Sequence, residues 1–198
     1  MLRPMVKNPL PSSLAAVRDE LDETTKRMHR LLDTMDEPTW GRSPESGKWS
    51  VARCIEHLNL TSRAYVPVLQ AAFWDARKRG VMAKDPSYRM DLWGWLLLKS
   101  VDERARFKMK TPEPFVPPTI EPKEKVIREY DELQNELVAL LEDSADLALG
   151  KIVITSPFNA NIKYNAYSAY RIIAAHQRRH LGQAEHVFTS LATRFVKM

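Results

Sequence analysis

Cysteine is almost missing from this chain: Cys54 is the one thiol in 198 residues. An internal disulfide framework is therefore excluded, and the composition suits a reducing cytoplasm. Long apolar runs are missing too. The longest, LWGWLLL at 92–98, falls far short of the roughly 20 residues a membrane span needs. The first residues, MLRPMVKNPLP, lack the apolar stretch and small-residue cleavage site of a secretory leader. No internal repeat is present, and strand patterning is confined to a short KIVIT at 151–155. What is there in quantity is helix-forming amphipathic sequence, with 44% hydrophobic and 28% charged residues, enough for one domain, 1–198, with a sizeable core.

The net charge of +5 is unevenly spread. Residues 77–110 carry ten Lys/Arg against four acids, so this stretch accounts for the whole excess. A basic balance can signal nucleic acid, but the excess lies in a connection and not along a recognition helix, so nucleic acid is disfavoured as a partner. An anionic small substrate or plain solubility explains the charge as well; the expected partner is a small-molecule substrate, and no membrane is expected.

Four long helices are predicted. In the first, Leu14, Val17, Leu21, Thr24, Met28, Leu31 and Met35 recur at spacings of three and four, with Ser12 or Ser13 as cap and Pro38 just beyond the end. In the second, Ser50 caps a stripe of Val51, Cys54, Ile55, Leu58, Ser62, Tyr65, Leu69 and Ala72 running to about Lys78. Trp49 is placed to staple its start, and Pro67 to kink it near Arg63. Residues 80–118 form a long crossover with a short helix over 91–106 capped by Asp91, then an extended TPEPFVPP. Trp93 and Trp95 are expected to pack in the core or a lid. The third helix starts at Glu121-Pro122, with Val126, Ile127, Tyr130, Leu133, Leu137, Leu140 and Leu141 on its apolar face. The fourth runs from Asn165 to Thr193. The fold class is all-α, a four-helix bundle with a long crossover between the second and third helices.

Three histidines carry the chemistry. His176 and His180 are one helical turn apart, about 40° from each other in azimuth, and both lie on the apolar stripe with Ala169, Ile173, Val187 and Leu191. Polar rings on a buried face need partners, and one metal ion answers both. His57 lies at the edge of the second helix's stripe, where it could reach across a helix–helix groove or face solvent. Three protein nitrogens leave a metal position open, as in catalytic rather than structural sites. The alternative is histidines satisfied by neighbouring carbonyls and carboxylates. His29 is expected in solvent, His186 on the flank of the stripe, Cys54 as a buried inert thiol, and Arg178 and Arg179 on a solvated face. Glu56 should point outward. Gln183, one turn past His180, is the one candidate for a catalytic group that orients a nucleophile.

WSVARCIEHLNLTSRAY at 49–65 resembles the second-helix signature of the DinB/YfiT-like superfamily, with its Trp-Ser and a histidine inside EHL. HQRRHLGQAEHV at 176–187 resembles that superfamily's last-helix HxxxHxxQ, and KTPEPFVPP at 110–118 the connection of the DinB-like subgroup. The resemblance spans residues 12–193. It implies an up-down-down-up bundle, a divalent metal site at His57, His176 and His180, and frequent homodimers. Characterised relatives include thiol S-transferases that use bacillithiol and mycothiol-dependent isomerases; a low-molecular-weight thiol is therefore an implied cofactor. The expected function is that of a divalent-metal-dependent enzyme, thiol S-transferase-like or hydrolase-like, with zinc or nickel favoured and iron an alternative. The competing expectation is a non-catalytic module in which metal staples two helices.

Overall fold

The computed structural model describes residues 10–84, 88–103 and 111–195. In chain order these form α1 (Ser12–Asp33), a short α2 (Glu37–Trp40), α3 (Val51–Lys78), α4 (Leu92–Val101), α5 (Lys123–Asp143), strands β1 (Val153–Ser156) and β2 (Asn159–Asn165), and α6 (Ala166–Phe195). The described chain is thus mostly helical. No helix among the described residues is long and apolar enough to cross a membrane.

Periodicity fixes α1: Leu14, Val17, Leu21, Thr24, Met28 and Leu31 are all buried. Its start differs from expectation. Pro11 precedes the helix, and its carbonyl accepts from the N–H groups of Leu14 and Ala15, which puts both serines inside the first turn instead of ahead of it. Met35 is buried beyond the helix end, and Pro38 belongs to α2, which Asp36 caps by accepting from the Thr39 N–H at 3.2 Å. Trp40 then donates to the Glu121 carbonyl at 2.9 Å and ties α2 to the approach of α5.

Ser50 caps α3 as expected, accepting from the Arg53 N–H at 3.2 Å. The helix runs unbroken past Pro67, an exposed position. Its buried stripe precesses, so Phe73 and Ala76 replace Ala72 near the end. Asp91 caps α4, but the helix stops at Val101; residues 104–110, with Arg104, Arg106, Lys108 and Lys110 of the basic stretch, lie outside the described residues. Gly94 is where α4 meets α6, and a Cβ there would collide with Ser168. The opposite face of α4 is bare: Trp93 and Trp95 are exposed with Leu92 and Leu96, because Gly94 faces the core between them. The expected extended run at 111–118 contains a single 3₁₀ turn, Glu113–Phe115, which tucks Phe115 inward.

Pro122 flanks α5 and does not open it; Lys123 is the first helical residue, and its ammonium donates to the carbonyls of Leu32 and Met35 at 2.8 Å. Leu133 and Leu140 are half-buried, while Gln134 occupies the buried seam. The short strand expected at 151–155 is displaced to Val153–Ser156 and gains an antiparallel partner in β2, with Val153 opposite Asn165 and Ile154 opposite Tyr164. Nothing in the polar run NANIKYN announces a strand, since asparagine disfavours one and the pairing comes from its neighbour. Asn165 then accepts from the Ser168 N–H at 2.8 Å at the start of α6.

The long helices meet pairwise, α1 and α3 each against both α5 and α6. Along α3 and α5, Asn59 donates to the Val126 carbonyl, Gln70 to Glu136, and Arg77 to the Asp143 carbonyl. Between α1 and α5, Gln134 donates to the Leu21 carbonyl, and His29 pairs with Asp131. Between α1 and α6, Thr24 meets Gln177 and Arg27 meets Glu185.

Candidate metal centre

His57 sits in the second turn of α3, and His176 and His180 on successive turns of α6, where the two helices pack. The three rings form a tight triangle, with centroids 5.0, 4.5 and 4.5 Å apart. One ligand atom from each lies within 4.8 Å of the other two.

Two details decide what the triangle can do. The Nδ1–H of His57 donates to the Phe115 carbonyl at 2.7 Å, which leaves the lone pair on Nε2. That Nε2 stands 3.2 Å from the Nε2 of His176. Two nitrogens each about 2.1 Å from a shared ion, and about 100° apart at it, stand about 3.2 Å from each other. The spacing therefore fits a common cation. Nδ1 of His180 is buried with no hydrogen-bond partner. Burial pushes all three imidazoles below their ordinary pKa, His180 down to about 3 and His176 well down. The neighbouring imidazoles and the Arg179 guanidinium add to this at His176 and His180. Neutral rings offer lone pairs, which is the form a metal requires.

Trp49 closes one side of the triangle, its ring 5.1 Å from His57 and stacked 5.9 Å from His180. It also packs against the apolar cluster that includes Cys54. A cavity of about 960 Å³ opens over the histidines, with Trp49, Leu97, Phe158, Ile162 and Ile172 among its walls.

A family model described as the DinB superfamily matches residues 20–184, which include all three histidines. The chain belongs to the DinB superfamily. No curated protein and no solved structure matches it. Members of the DinB superfamily are generally metal-binding, and in this one His57, His176 and His180 lie close enough together to hold an ion.

The other candidates separate from this DinB centre. Cys54 is fully buried, and burial raises its thiol to about 12, so it is inert packing. His29 lies between α1 and α5 and is half in solvent, its Nε2 2.9 Å from Asp131. His186 is exposed on the cavity wall, as is Gln183 one turn past His180. Glu56 diverges from His57 as expected but does not reach open solvent. It is half-buried, one carboxylate oxygen has no partner, and burial raises its pKa. Arg178 pairs with Glu20, whereas Arg179 turns into the cavity wall, about 60° from His176 on the side away from His180. That corrects the expectation of a solvated pair. The Phe115 carbonyl was not legible in sequence, since a backbone acceptor has no side-chain signature; the two prolines flanking Glu113 were its nearest signal.

Proposed function

We propose that this DinB-superfamily chain is a single-domain, divalent-metal-dependent enzyme whose open site is built by His57, His176 and His180. The observation that carries the reading is the meeting of two imidazole Nε2 atoms at 3.2 Å on the floor of a cavity large enough for a small substrate. An up-down-down-up bundle is supported by the helix contacts. Partner numbers rise together along α3 and α5 (59 with 126, 70 with 136) and along α1 and α6 (24 with 177, 27 with 185). They run oppositely along α1 and α5, where Leu32 meets Lys123 and Leu21 meets Gln134.

All-nitrogen ligation suits zinc or nickel, with iron an alternative. When bound, such an ion supplies Lewis acidity that lowers the pKa of a thiol or water, or polarises a carbonyl, with thiol S-transfer and hydrolysis as the two matching reaction classes. The chain does the rest. The Phe115 carbonyl keeps the His57 proton on Nδ1 and so keeps Nε2 as a donor. Trp49 excludes water from one flank, and apolar walls favour substrates with an apolar body. Gln183, on the cavity wall, is the side chain placed to orient a nucleophile.

The test uses full-length protein purified without a nickel column. Elemental analysis should find stoichiometric metal, and addition of a small thiol to a model electrophile should stop with chelator and return with zinc or nickel. Equal rates with and without metal would remove the reaction. Large metal-dependent stabilisation without turnover would favour the staple reading.

A further inference from the structure

Among the described residues Arg179 is a cation beside the histidine triangle without a carboxylate of its own. Its Nη1 donates to the carbonyls of Ser100, at 3.2 Å, and Asp102, at 3.1 Å, at the end of α4. Those two bonds hold the guanidinium against the cavity wall and neutralise none of its charge. Among the described residues the remaining N–H groups have no carboxylate partner. Neighbouring arginines on α6 differ: Arg171 and Arg178 both pair with Glu20. Glu103, another acid at this end of α4, lies over Gly182, where Arg27 is also close. The three imidazoles are neutral and add no countercharge, so the wall at this point is positive.

We infer that Arg179 anchors a carboxylate on the ligand of this cavity, and that the substrate or thiol that enters is an apolar body carrying a single carboxylate. The guanidinium fork matches a planar carboxylate with two parallel bonds, which a lysine would not provide. One unpaired fork suits a monoanion. A second carboxylate would lie beside Glu103, which lines the same cavity. The apolar part is answered by Leu97, Phe158, Ile162 and Ile172 on the facing walls. Since Arg179 and His176 share one stretch of α6, a carboxylate at the guanidinium leaves the rest of a small ligand within reach of the histidines. This rests on the proposed function only in placing the reacting end there; the binding itself requires no metal.

Calorimetric titration of the full chain with phenylbutyrate and with its neutral amide tests the inference, in chelator-treated and in metal-loaded protein. The expected result is an acid-over-amide preference of about tenfold or more in both states. Arg179→Gln keeps an N–H donor for the two carbonyls and removes the charge; it should melt like the parent and lose the preference. Arg179→Lys should retain part of it, and reports on the charge if the glutamine variant does not fold. An undiminished preference in Arg179→Gln, or no preference in the parent, would overturn the inference. A preference seen only with metal and insensitive to Arg179 would place the carboxylate on the ion, sinking this assignment while sparing the metal reading. A preference in chelated protein that Arg179→Gln abolishes upholds it even where thiol transfer fails.

Discussion

His176 and Gln177 are adjacent on α6, about 100° apart, and each enters a buried polar cluster. The glutamine cluster closes on itself. The Gln177 carbonyl oxygen accepts from Thr24 at 3.0 Å, its amide donates to Gln134 at 2.6 Å, and Gln134 donates to the Leu21 carbonyl and the Thr25 hydroxyl. The histidine cluster does not. Its outer nitrogen on His57 is answered by Phe115, but two neutral Nε2 atoms face each other and a buried Nδ1 on His180 has no partner. The glutamine network joins α1, α5 and α6 with both amides answered within the protein, and it gathers no metal-ligating side chains. A network that leaves a buried Nδ1 unanswered and sets two Nε2 atoms 3.2 Å apart, where a proton or a cation can sit between them, still has a nitrogen to offer. The difference between structure and site on this helix is saturation, not polarity.

The sharpest way to break that contrast is to cut each cluster. His176→Ala should abolish stoichiometric zinc binding by native mass spectrometry. Gln177→Leu should bind zinc like the parent yet lose about 1–3 kcal/mol in urea unfolding, since the buried Gln134 carbonyl oxygen loses its donor. Metal retained by His176→Ala, or lost in Gln177→Leu, would show that the two clusters are not separable.

A smaller effect sharpens the histidine side alone. Phe115→Ala removes the buried ring that holds the 3₁₀ turn and its carbonyl against His57. Losing an outer-shell acceptor typically weakens metal affinity about 10–100-fold, and competition with a chromophoric chelator would measure it. An unchanged affinity would mean the Phe115 carbonyl does not set the His57 tautomer.

The contrast also explains what the sequence could tell. The α1 seam was legible because apolar residues at helical spacing can only face a core. The triangle was legible because i,i+4 geometry forces His176 and His180 onto one face, and the edge position of His57 allowed a groove-crossing contact. Gln134 and Gln177 were not, because a buried amide looks like a surface residue until its partners on two other helices are known. Arg179 was hidden for a related reason: its place depends on where α4 ends, and two backbone carbonyls hold it there. Trp93 and Trp95 misled because hydrophobicity does not say which side of a short helix faces inward; Gly94 settles that by close approach.

The gentlest test is pH. Amides do not titrate, so the glutamine cluster should be indifferent, whereas the histidines should make the metal-free fold acid-sensitive. Their pKa values in the fold lie below the unfolded value near 6.5, His180 at about 3. Between those limits the unfolded chain binds more protons than the native one, so stability is complete above about pH 7 and falls as pH drops below about 6.5. Each ring kept neutral by the fold contributes a slope approaching about 1.4 kcal/mol per pH unit. Urea unfolding of chelator-treated protein from pH 7.5 to 4.5 should show that slope in the parent and in Gln177→Leu alike. It should be shallower in His176→Ala, where one ring is gone and His180 has lost a neighbour. A slope unaltered by removing His176 would mean the histidine triangle is not the acid-sensitive element, and carboxylates elsewhere would have to account for it.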